Sequence, residues 1–100
     1  MEQLTSRQRS GLRALANDIP AIFQIGKGGV SETTIRELDR ALNARELIKI
    51  TVLKTAEKDA YAVADELCAA LGAQPVQTIG ARIVIYRQSK DHPAIDLKKL

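Results

Sequence analysis

One hundred residues, 45% of them apolar, amount to one globular domain with no room for a separate catalytic partner and too much apolar content for a disordered chain. Apolar runs such as Ile83-Val84-Ile85-Tyr86 are only strand-length, Met1-Glu2-Gln3-Leu4 lacks the basic start of a secretory signal, and one cysteine allows no internal disulfide; no membrane span and a cytoplasmic location are expected. The net charge of +3 sits in residues 1–54, where nine Lys/Arg face six acids, whereas residues 55–100 hold six of each, so the excess positive charge, of the kind that recruits polyanions, belongs to the first half.

Thr5-Ser6-Arg7-Gln8 resembles a capping box, with Thr5 as N-cap. The helix it opens carries Leu12 and Leu15 on one side with Gly11 beside them, and Arg9 and Arg13 on the opposite face. Asn17-Asp18-Ile19-Pro20 ends it, because a residue before proline avoids the helical region. Ala21 to Ile25 reads as a first strand running into Gly26-Lys27-Gly28-Gly29. Ser31 then caps a second helix with a buried stripe of Ile35, Leu38, Ala41 and Leu42, while Arg36 and Arg40 project from its other side.

Leu47 to Leu53 forms a second strand, with Ile48, Ile50 and Val52 on one face and Lys49 and Thr51 on the other. A third helix is expected from about Glu57 to Leu71, burying Ala60, Val63, Ala64, Leu67 and Leu71 and closing on Gly72. Val76 to Ile79 and Arg82 to Arg87 are two more strands around a tight turn at Gly80-Ala81. The pattern αβαβαββ implies an α/β (α+β, two-layer) fold, three helices on a four-stranded mixed sheet. A single domain is expected over residues 1–88, followed by a polar, loosely held C-terminal tail over 89–100.

The strongest local signal for chemistry is the strand–GKGG–Val–Ser–helix passage. Glycines admit positive φ and let a ligand's backbone come close, the helix start favours a phosphate, and Lys27 adds a mobile charge. The same passage also reads as an ordinary turn with a solvated lysine. It matches neither the P-loop, in which four residues precede Gly-Lys-Ser/Thr, nor a G-x-G-x-x-G dinucleotide loop. GxxG, the short form that clamps RNA backbone in KH-type domains, is what remains. Arg9, Arg13, Arg36, Arg40 and Lys49 could extend a basic track, although Glu32, Glu37 and Asp39 could equally neutralise the second helix.

No catalytic or metal constellation is present: His92 stands alone before Pro93, and Cys68 reads as a small packed residue in an alanine-rich helix. Three aromatics, Phe23, Tyr61 and Tyr86, are too few for a base-stacking platform, so RNA contact would run through phosphate and sugar. A protein-docking surface on the third helix, around Asp65 and Glu66, is the other reading, and an enzyme binding a small phosphorylated substrate lacks a general base.

Leu4-Thr5-x-x-Gln8-Arg9-x-x-Leu12-Arg13, Ile25-Gly26-Lys27-Gly28-Gly29, Glu46-Leu47-Ile48-Lys49-Ile50, and Gln77-x-Ile79-Gly80 before Val84-Ile85-Tyr86-Arg87 together resemble the CRM domain (chloroplast RNA splicing and ribosome maturation), over roughly residues 4–88. The short chain looks like its stand-alone bacterial YhbY-type members. The resemblance implies a fold similar to the C-terminal domain of translation initiation factor three. It also implies an RNA-binding protein acting on precursors of the large ribosomal subunit, with Gly26, Lys27, Gly28 and Gly29 touching RNA, the alternative being docking on a ribosome-associated factor. The residues themselves lead to the expectation of no enzyme, no cofactor and a monomer, since no apolar stripe is left uncovered. Arg45, where a histidine is expected, and Asn17-Asp18, in place of Ala-His, depart from the pattern outside the loop.

Overall fold

A computed structural model of the chain describes residues 3–100; Met1 and Glu2, with which the expected domain begins, lie outside the described residues. Helix α1 (Ser6–Ala16) begins on the expected box: Thr5 Oγ1 accepts from Gln8 N at 3.1 Å, and Gln8 Oε1 accepts from Thr5 N at 2.9 Å. Strand β1 (Ala21–Ile25) leads through the glycines to α2 (Glu32–Arg45), capped by Ser31. Strand β2 (Leu47–Val52) precedes α3 (Ala60–Leu71), and β3 (Gln74–Ile79) and β4 (Arg82–Tyr86) close the sheet as a hairpin. Helix α3 starts three residues later than expected because the Asp59 carboxylate accepts from Ala62 N and takes the N-cap.

The sheet order is β1-β2-β4-β3, with β1 and β2 parallel and the other pairs antiparallel. The three helices and four-stranded mixed sheet are as expected. The two-layer arrangement is not, since helices cover both faces. Ile48, Ile50, Ile83 and Ile85 pack under Leu38 and Leu42 of α2 and Val63, Ala64 and Leu67 of α3. Leu47, Val84 and Tyr86 point the other way and pack under Leu4, Leu12 and Ala16 around α1. The continuous apolar run in β4 carries this information, because a strand buried on both faces loses its polar alternation.

Two further expectations are corrected. Leu15 is 42% exposed; the α1 stripe is Leu12 and Ala16, four apart, and Leu15 falls to its side. The tail is fastened rather than loose. Ile95, Leu97 and Leu100 pack on the α1-side core, and Leu100 lies so close to Gly11 that a Cβ there would meet the Leu100 Cβ at 2.6 Å. Glu46 holds the tail's start: its carboxylate accepts from Ser89 N, Ala94 N and Ile95 N at 2.7, 2.8 and 2.7 Å.

Candidate functional site

The glycine passage folds as a turn at the carboxyl end of β1. Gly29 N donates to Gly26 O at 2.9 Å, and Gly29 takes φ +65°, a conformation that glycine adopts without strain. This uses the Gly29 amide inside the loop and leaves those of Lys27 and Gly28 with no partner among the described residues. A Cβ on Gly28 would find no atom within 4 Å, and its φ is not positive. The fold therefore makes no steric demand for glycine at 28. Gly26 is different, because a Cβ there would press on Thr55 Oγ1 and Leu53 Cδ1 at 3.3 and 3.4 Å. The loop thus leans on the β2–α3 connection, whose first residue bonds β1 through Leu53 N to Ile25 O at 2.8 Å.

Three segments meet at this end of the sheet: the glycine loop, the β2–α3 connection with Lys54 and Lys58, and the β3–β4 turn, where Val52 N bonds Ala81 O. Register extends the surface. Lys49 pairs with Val84, and Thr51 stands between Gln24 and Arg82, so these side chains share the face on which α1 packs. The core under α1 takes in Leu47, Val84 and Tyr86 but neither Thr51 nor Arg82; Arg82 and Gln24 are exposed, and Lys49 and Thr51 half-buried. Arg82 belongs with this group. Sequence reading missed it because its place depends on the pairing of β4 with β2, which strand periodicity alone does not give.

The expected basic track is divided. Arg13 is exposed on α1, but Arg9 is half-buried, bordering a shallow depression with Tyr61 and Asp65 of α3 and Gln77 and Thr78 of β3. It flanks the apolar stripe instead of opposing it. Arg36 and Arg40 are exposed on α2, on the other side of the sheet from Arg9, Arg13 and Lys49. Among the described residues the ion pairs are Lys58–Glu66 and Arg87–Asp39, so Asp39 is committed to Arg87 and neutralises neither helix-two arginine directly.

Beside the loop lies a cleft of about 200 Å³. Its lining mixes apolar residues, Ile25, Val30, Ala56 and Val63, with Lys27, Glu57 and the glycines Gly28 and Gly29. Lys58 Nζ and Glu66 Oε1, 3.0 Å apart, sit on its rim. Glu66, read from sequence as part of a protein-docking face, is the acidic partner in this exposed pair. Cys68 packs against the core; burial first, then the Asp65 charge, pushes its thiol up to about 11, which suits a structural residue. Among the described residues no group of His, Cys, Asp and Glu could hold a metal ion, and no helix is long and apolar enough to cross a membrane.

Residues 4–87 match the model of the CRS1 / YhbY (CRM) domain. YqeI of Bacillus subtilis (strain 168), named a probable RNA-binding protein, is 46% identical over 94 residues, covering 94% of this chain and 98% of its own. PA4753 of Pseudomonas aeruginosa, named likewise, is 33% identical over 86% of this chain and 83% of its own. The solution structure of SAV1595 from Staphylococcus aureus, described as a candidate RNA binding protein, superposes with a TM-score of 0.78 at 46% identity, over 94% of this chain and 98% of that one.

Proposed function

Because the chain belongs to the CRS1 / YhbY (CRM) domain family, we propose that it binds RNA, and that its RNA is ribosomal, in precursors of the large subunit. The observation that carries the reading is at Gly28. Its side-chain position faces open space, and its amide and that of Lys27 are unpartnered among the described residues, so an RNA backbone can come up to the loop and find donors. Lys27 supplies charge at the same point. Arg82 lies on the adjoining end of the sheet, Lys49 farther along the same face, and Arg13 and Arg9 add positive charge on α1. Arg36 and Arg40 form an outlying contact that a strand reaches only by passing round the loop end. The binding is non-catalytic, needs no cofactor, and involves one copy of the chain acting in the cytoplasm.

Affinity for a large-subunit ribosomal RNA fragment, measured against salt, tests the reading. The double substitution Lys27→Asp with Gly28→Asp should weaken binding and flatten the salt dependence, because it sets two carboxylates where phosphate is held. A folded double variant with the parent's affinity and slope would remove the loop from the interface.

A further inference from the structure

We propose that the cleft between the glycine loop and the start of α3 is a nucleobase pocket that selects guanine, an inference that rests on the loop holding RNA backbone. A phosphate held at Lys27 and Gly28 brings its own nucleoside to the loop's edge, and the cleft opens there, walled by Gly28 and Gly29. At about 200 Å³ it falls short of the roughly 300–1,000 Å³ of small-molecule sites, a size suited to one planar ring system.

The chemistry of the lining favours a base over a second phosphate. The half-buried Val30 and Ala56, backed by the buried Ile25 and Val63, give a small apolar area against which part of a ring can lie. The lining sets two carboxylates, Glu57 and Glu66, against Lys27 and Lys58, so its charges cancel and a neutral base meets acceptors as well as donors, while a second phosphate gains no net attraction. RNA bases splayed from a strand are recognised in this way, by one face and by the Watson–Crick edge.

The rim pair then chooses among bases. Lys58 Nζ lies 3.0 Å from Glu66 Oε1, which sets a donor directly beside an acceptor. Guanine presents the complement, with O6 accepting beside N1–H and N2–H donating. Lys58 meets O6, while the two oxygens of Glu66 accept from N1 and N2. Uracil offers O4 and one N–H and lacks the second donor. Adenine and cytosine place a donor where Lys58 needs an acceptor. Both rim side chains keep contact with solvent, at 60% and 38% exposure, and can adjust to a ring without unfolding anything.

The experiment uses the whole chain and short single-stranded RNAs that differ at one central nucleotide: guanosine, inosine, adenosine, uridine or cytidine. The parent should prefer guanosine by about tenfold, with inosine, which lacks the N2 amino group, falling between guanosine and the rest. In Glu66→Gln, checked for folding by its thermal melt, the preference should drop to about threefold or less and the guanosine–inosine gap should close. Equal binding of all five RNAs by the parent overturns the pocket and leaves backbone binding standing. So does a preference that survives Glu66→Gln. Binding of none of them overturns the RNA reading and the pocket together.

Discussion

Ile95 N donates to Glu46 Oε1 at 2.7 Å, tying together positions 49 apart in sequence at the far end of the sheet from the glycine loop. Glu46 is the C-cap of α2, has φ +66° and is 1% exposed, so a buried charge occupies a backbone conformation that side chains rarely adopt. Burial alone would raise its carboxyl pKa, but the N–H bonds from Ser89, Ile95 and Ala94 outweigh it and hold the value below 4.5. A depressed folded value adds stability that is present above the unfolded pKa and lost as pH falls through the folded one. Thermal melts should therefore show a destabilisation setting in below about pH 4.5. Glu46→Gln should remove part of that acid dependence and cost about 1–3 kcal/mol at neutral pH, because three amides lose a charged acceptor.

Arg87 fastens α2 and α3 to the same end of the sheet. Its Nη1 donates to Asp39 Oδ1 at 2.8 Å and to Leu71 O at 2.9 Å, and its Nη2 to Asp39 O and Asn43 Oδ1, both at 3.1 Å. The Arg87 side chain is 9% exposed but that of Asp39 is 43%, so solvent screens the pair in part. Arg87→Ala should cost about 3 kcal/mol, the low end for breaking a buried pair, measured by urea unfolding. Arg87→Lys should recover only a fraction, since one ammonium cannot span acceptors on two helices as the guanidinium fork does.

These two residues show where sequence reading stops. The elements were legible because their signals are local: the Thr5–Gln8 box, the Ser31 cap, the alternation of β2, and the left-handed Gly72 closing α3. The glycine loop was legible for the same reason. Glu46 and Arg87 look in sequence like ordinary charged residues at element ends, and they stand out only as parts of a family motif. Most of their hydrogen-bond partners lie more than forty positions away along the chain, as with Ser89 and Asn43. The second sheet face depends likewise on α1 crossing to the side opposite α2 and α3, which no spacing in the chain announces. The alternation of β2 puts Lys49 on the correct strand face, but its companion Arg82 needs the register of β4.

The two adjacent glycines of the loop should separate folding from binding. Gly29 sits at φ +65°, so Gly29→Ala should cost about 1 kcal/mol of stability or more, because an alanine strains there. Gly28 has neither a positive φ nor a neighbour within 4 Å, and Gly28→Ala should leave the melting temperature within about 2 °C of the parent. The same Gly28→Ala should weaken RNA binding severalfold, since the methyl group occupies the space through which the backbone approaches. A Gly28→Ala protein that binds normally would mean that the loop's open side is not where RNA lies.

Salt titrations on single alanine variants should map the path of the strand. Removing one side chain that pairs with a phosphate lowers the slope of log affinity against log salt by roughly one unit, whatever the RNA sequence. Lys27→Ala and Arg82→Ala should each show a change of about that size, since both are exposed at the loop end and free of ion pairs among the described residues. Lys49→Ala should show less, because its half-buried stem on the sheet limits how far the ammonium reaches. Arg36→Ala and Arg40→Ala should change the slope less than Lys27→Ala, because α2 packs on the opposite face and carries Glu32 and Glu37 beside them. The reverse order, with the α2 arginines dominating and Arg82 silent, would place the RNA on the α2 side of the loop and take the α1 face out of the interface.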